Sequence, residues 1–180
     1  MRAMLLDTRW AATPPSLPPA LLDCLTEPGS LTERLMSYGH DFAVTVLEQG
    51  DSRVHDDEAA LLGLPVGAPL YARHVALTLD DTPVVVARSV TRLGCPAWHP
   101  ILQRGSRSLG FTLFGGHAGI VREPLAYREL DATHPLFALA HAHDPASAHS
   151  YPARRSRFLL VNTPLIVCEV FLPALERFLP

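Results

Sequence analysis

Arg73 and Glu169 are charged residues placed where core residues belong. Across residues 70–79 the period-two alternation of a strand puts Arg73 on one face with Tyr71, Val75, Leu77 and Leu79. Across residues 165–171 the same alternation puts Glu169 with Leu165, Val167 and Phe171. A lone charge on an apolar face is costly to bury, so each needs a counter-charge or a ligand. The two are either each other's partner or the opposite ends of a site for a small polar molecule. Arg88 adds a second cation, in phase with Val84, Val86 and Val90. A plain salt-bridge cluster is one outcome. Buried ion pairs stabilise poorly beside apolar residues of similar size, however, so keeping them also points to specificity or function.

All 15 basic residues are arginine, which excludes Schiff-base chemistry through lysine and the usual phosphate-loop lysine. A fixed positive charge in a site must then be a guanidinium, whose planar fork suits a carboxylate. Helix starts at Ser30-Leu31 and Ser108-Leu109 offer free backbone N–H groups at the positive end of a helix dipole, although every helix has such a start. Cys24, Cys95 and Cys168 are far apart and are read as reduced structural thiols. Cys168 and its neighbour Glu169 point to opposite faces of a strand and cannot act side by side. His141 and His143 form a possible metal fragment, but no carboxylate or cysteine at ligand spacing completes it, so no metal or other cofactor is expected.

The elements that must position these residues are short. Residues 1–18, with Pro14, Pro15, Pro18 and Pro19 at their end, read as an extended lead-in. Helices are expected at residues 19–25 and from Ser30, where Ser30 and Glu33 make a capping box, to Gly39. A strand over residues 42–47 ends by Gly50, and residues 70–79 and 84–91 form a hairpin around Asp80, Asp81, Thr82 and Pro83. A helix starts near Ser106, a strand near Ile120, and residues 132–153 read as an Ala/His/Pro-rich insertion. Strands at 158–161 and 165–172 close the chain around Asn162 and Thr163. Hairpins with helices grouped on one side imply an antiparallel α+β sheet, and 180 residues imply one domain, 1–180. A net charge of −3 gives no nucleic-acid footprint. No apolar run reaches the ~18 residues that span a bilayer. The N-terminus has no signal-peptide pattern, so a cytoplasmic protein is expected.

Several segments follow one another in a telling order: residues 30–35, Gly39, Val44-Thr45, the strand around Arg73, Ala87-Arg88, residues 108–114, Arg122, the Arg-Arg-Ser-Arg run at 154–157, and Glu-Val-Phe-Leu-Pro at 169–173. Taken together they resemble chorismate pyruvate-lyase, the 4-hydroxybenzoate synthase family of bacterial ubiquinone biosynthesis. The resemblance covers the chain from about Pro19 to the end. It implies a sheet of about six antiparallel strands with helices packed as flaps over an internal ligand cavity. It implies a carbon–oxygen lyase that needs no cofactor and converts chorismate to 4-hydroxybenzoate and pyruvate, expected as a monomer. It carries the ring-carboxylate site onto Arg73 and the backbone amides of Leu31 and Leu109. The ring-hydroxyl partner, with a general acid–base role, falls on Glu169. Arg88 and Arg122 are placed at the enolpyruvyl carboxylate. Leu31 stands where a methionine is usual, and the segment between Arg122 and Arg154 is longer by roughly 15–20 residues. The effector domains of a bacterial regulator class share this fold. They usually follow a winged helix-turn-helix, for which the ~18 residues ahead of the first helix are too short. A lyase giving a different hydroxybenzoate is the other alternative.

Overall fold

Two tight hairpins build the middle of the molecule. In each, a two-residue loop takes left-handed conformation, Asp80 and Asp81 at φ 47° and 62°, Val161 and Asn162 at φ 50° and 58°. Such loops match the twist of the strands they join. The computed structural model describes residues 9–180, so the absence of a leader and the start of the expected lead-in, residues 1–8, lie outside the described residues. Its strands are β1 Phe42–Arg53, β2 Pro69–Leu79, β3 Thr82–Thr91, β4 Val121–Arg122, β5 Ala126–Leu130, β6 Tyr151–Leu160 and β7 Thr163–Phe171. The helices are α1 Pro19–Leu25, α2 Leu31–Met36, α3 Asp56–Leu62, α4 His99–Leu102, α5 Leu109–Phe114 and α6 Phe137–Ala142.

The described strands form one seven-stranded sheet, in the order β1-β2-β3-β7-β6-β4 with β5 also on β6. Every pairing is antiparallel. The expected α+β class holds, with one strand more than six. β1 does not stop at Gly50. That glycine takes φ 142° and pairs with Ala72, which carries the strand on to Arg53.

One irregularity decides the site. A hairpin closed at Leu79–Thr82 would, in unbroken register, set Arg88 opposite Arg73. A bulge leaves Val84 without a partner between the Thr78–Pro83 and Leu77–Val85 pairs, and Arg73 pairs with Ser89 instead. Because side chains alternate with a period of two, that single step sends Arg88 to the other face of the sheet.

Helices cover both faces rather than one. Under α1 and α2 lie Leu25, Leu31, Leu35, Val75, Leu77 and Phe171, and under α4 and α5 lie Trp98, Leu102, Leu109, Phe158 and Val167. On the reverse face α3 buries Leu62 against Ala72, Val90 and Ile166. There, too, Trp10, Leu136, Ala140 and Tyr151 pack on Val86, Cys168 and Val170. The expected insertion therefore holds α6 and roofs the reverse face, and its last residues are already β6. The described part of the lead-in is pinned as well. Ala11 and Tyr127 exchange backbone hydrogen bonds of 2.9 and 2.8 Å. Among the described residues no helix is long and apolar enough to cross a membrane.

Candidate active site

A cavity opens between the two helix-covered clusters on the first face. Its floor is sheet: Arg73, Val75 and Leu77 of β2, Ala87 and Ser89 of β3, Val167 and Glu169 of β7, Arg154, Ser156 and Phe158 of β6. Its roof is α2 and α5, through Leu31, Thr32, Ser108, Leu109 and Leu113, with Arg122 at one side. The space between protein atoms is about 550 Å³, counting its open mouth. Apolar walls with a few convergent charges are the usual make-up of a small-molecule site.

The two roof helices are locked together at their starts. Ser30 accepts the Glu33 N–H (3.3 Å) and Ser108 accepts the Gly110 N–H (3.2 Å), so each helix is capped by its own serine. The hydroxyls of Thr32 and Ser108 hydrogen-bond across the gap. A Cβ on Gly110 would lie 2.8 Å from Thr32 Oγ1 and 2.9 Å from Ser30 Oγ, so glycine alone permits this approach. Leu31 and Leu109, the first residues of α2 and α5, present amides that no intrahelical carbonyl reaches.

Three arginines and one carboxylate line the cavity. Arg73 is 2% exposed. One of its terminal nitrogens donates to the carbonyls of Gly105 (2.8 Å) and Arg107 (3.2 Å), in the connector entering α5. Its Nε is buried without a partner. Burial, then the nearby Arg104 charge, lowers its pKa from the usual arginine value, which still leaves a cation at any physiological pH. Arg122 stacks over Phe114 (4.9 Å) and Phe158 (5.5 Å) and donates to Pro28 O (2.5 Å), just ahead of α2. Its Nε is likewise buried without a partner, and burial followed by the Arg154 charge lowers its pKa. Arg154 donates through Nε to Glu169 Oε2 at 2.5 Å. Arg73 and Glu169 are thus not each other's salt bridge: among the described residues Arg73 forms no ion pair, and the partner of Glu169 is Arg154.

Arg88 does not reach the cavity. The bulge turns it to the reverse face, where Nε and Nη2 grip Glu58 at 2.6 and 3.0 Å. Nη2 also donates to Arg53 O (2.8 Å), and Nη1 lies near Ser52 Oγ (3.3 Å) and His74 Nε2 (3.1 Å). Its expected place at a substrate carboxylate is corrected to a structural one. Beside it Asp57 accepts from Trp10 Nε1 (2.9 Å) and His134 Nε2 (2.7 Å). His134 Nδ1 accepts the Leu136 N–H (3.1 Å), so the proton sits on Nε2. Arg155 stacks on Trp10 at 4.5 Å and donates to Asp57 O at 2.6 Å.

The structure therefore brings Arg73, Arg122, Glu169, Leu31 and Leu109 around one cavity and leaves Arg88 out. It adds Arg154, Thr32, Ser89, Ser108 and Ser156. The run at 154–157 held the signal for Arg154 and Ser156, since alternate residues of a strand share a face.

The sequence model described as chorismate lyase matches residues 7–177. The chain belongs to the chorismate lyase family. A protein of Thiobacillus denitrificans named a probable chorismate pyruvate-lyase is 39% identical over 88% of this chain and 85% of its own length. One of Aromatoleum aromaticum with the same name is 41% identical over 92% of both chains. Among solved structures, the C-terminal domain of the histidine utilization repressor of Pseudomonas syringae is similar at TM-score 0.52 and 13% identity, over 74% of this chain and 93% of that one. PhnF of Mycobacterium smegmatis is similar at TM-score 0.50 and 17% identity, over 79% and 63%. These two show the fold alone. This chain thus shares its sheet architecture with those two proteins.

Proposed function

We propose that this chain is a chorismate pyruvate-lyase, a carbon–oxygen lyase that makes 4-hydroxybenzoate and pyruvate for ubiquinone biosynthesis, built as one domain. The observation that carries the reading is a charge count. The cavity holds Arg73 and Arg122 without a carboxylate partner among the described residues, beside a neutral Arg154–Glu169 pair. That excess of two cations matches a substrate with two carboxylates.

Arg73, with the amides of Leu31 and Leu109, takes the ring carboxylate. Glu169 takes the ring hydroxyl. Arg122 takes the enolpyruvyl carboxylate, backed by Phe114 and Phe158. Between them Val75, Leu77, Ala87 and Val167 offer an apolar bed for the ring. In the reaction the ether bond at ring C3 breaks and the C4 proton is lost. The enolpyruvyl methylene gains a proton, so pyruvate leaves and the ring becomes aromatic. Aromatisation drives the step. The residues need only hold the side chain in the reactive orientation and balance charge moving onto the leaving oxygen.

The test is to mix purified protein with chorismate, adding no metal or nucleotide, and to identify products by chromatography. Equal amounts of pyruvate and 4-hydroxybenzoate are expected. A different hydroxybenzoate, or binding without turnover, overturns the reading.

A further inference from the structure

We propose that Arg154 is a positioning residue for this reaction: it sets where the Glu169 carboxylate stands, and so fixes the hydroxyl-binding end of the cavity relative to the carboxylate-binding end. The inference rests on the assignment of the ring hydroxyl to Glu169.

Arg154 and Glu169 are cross-strand partners on β6 and β7, and the side chains are 1% and 14% exposed. Besides the bond to Glu169 Oε2, Nη1 of Arg154 donates to Leu25 O (3.2 Å) and Glu27 O (2.9 Å). Those carbonyls belong to the end of α1 and the connector that enters α2. A guanidinium is a rigid planar fork, so fixing one nitrogen against the backbone fixes the direction of the others. The plane of Arg154 is thereby set by α1, and Glu169 is set by Arg154. Among the described residues no hydrogen bond reaches Glu169 Oε1, which leaves that oxygen for a hydroxyl. The same connector delivers Leu31, whose amide serves the other end of the ligand. One buried side chain therefore spaces the two ends of the site.

Arg154 differs from its neighbours in how its donors are used. Arg73 and Arg122 each keep a buried Nε without a partner, whereas the Nε of Arg154 is committed to Glu169. A substrate carboxylate finds unused donors on the first two, and the effect of Arg154 reaches the substrate through Glu169.

Titration of the full chain with 4-hydroxybenzoate and with benzoate, which lacks the hydroxyl, tests this in Arg154→Gln, Glu169→Gln and the double variant. Wild type is expected to favour 4-hydroxybenzoate. Arg154→Gln should lose ~10-fold or more of that preference while benzoate affinity stays within about twofold, and the double variant should match Glu169→Gln, the signature of residues acting as a unit. If Arg154→Gln alone fails to fold, leaving a lone buried carboxylate, a folded double variant equal to Glu169→Gln supports the proposal. A preference kept in Arg154→Gln overturns it. So does a loss of benzoate affinity in the double variant beyond that of Glu169→Gln. Wild type without any preference removes the Glu169 assignment itself, and the proposal with it.

Discussion

The two faces of the sheet bury charge to different ends. On the reverse face each arginine at the centre has a carboxylate: Arg88 has Glu58 at 2.6 Å, and Arg128 and Arg155 have Asp57 at 4.0 and 3.9 Å. On the cavity face Arg154 has Glu169, while Arg73 and Arg122 have only backbone carbonyls as hydrogen-bond acceptors among the described residues. Both faces hold buried guanidinium groups, so burial of charge does not by itself mark a site. The mark is charge left without a countercharge, facing a space that a ligand can enter.

The comparison breaks most visibly at Arg88. Its replacement by Met leaves the buried Glu58 without its guanidinium partner, and should cost ~3–5 kcal/mol in chemical denaturation. Whatever protein remains folded should bind 4-hydroxybenzoate as wild type does. Arg73→Ala should do the reverse. Affinity for 4-hydroxybenzoate, read by titration, falls ~10–100-fold through loss of charge-assisted hydrogen bonds, and the melting temperature holds because no ion pair is broken. If Arg73→Ala unfolds the protein while Arg88→Met abolishes binding, the two faces have been assigned the wrong way round.

Acid titration sharpens the contrast further. Burial pushes the Asp57 carboxyl up, but the hydrogen bonds from His134 and the Trp10 indole, with the charge of Arg155, outweigh it and hold the group well below its ordinary 3.8. Below that value the unfolded chain takes up the proton first, so stability present above about pH 4 is lost as pH falls toward the depressed folded value. Asp57→Asn should be less stable at pH 7 and should lose less on going to pH 3, as measured by denaturation at both. The smallest effect is expected at Glu123→Gln. Its partner Arg157 sits on the same strand as Arg154 and Arg155, but the pair is about a third exposed at 33% and 29%. Removing it should cost no more than ~1 kcal/mol and leave ligand binding alone.

Strand phase was enough to bury Arg73 and Glu169, because both strands carry clean apolar alternation, but their sharing one cavity was implied only by the family resemblance. The Asp80–Asp81 turn and the serine-capped starts of α2 and α5 were legible for a similar reason, since each rests on local residue chemistry. Arg88 was misplaced because phase within a strand says which residues share a face, not which face it is. That depends on register, and here on a bulge with no residue signature of its own. Arg154 was missed as a site residue because its strand reads Tyr-Pro-Ala-Arg-Arg-Ser-Arg, with too few apolar residues to show a period. Its polar groups are satisfied on both faces of the sheet, which is a tertiary fact. α3 escaped for the same cause: Asp57 and Glu58 look like a solvated start, yet both are buried against arginines from other strands.

The extra residue at Val84 also bears on how such a sequence can change over generations. Substitutions alter one side chain at a time, and loss of the codon for residue 84 would close the bulge while leaving Val85 opposite Leu77 and every pair beyond it unchanged. Arg88 would stay opposite His74 on the reverse face, and Ala87 and Ser89 would stay on the cavity. A residue gained between Val85 and Arg88 would instead set Arg88 opposite Arg73, so descendants are expected to lose the bulge far more readily than to lengthen the strand beyond it.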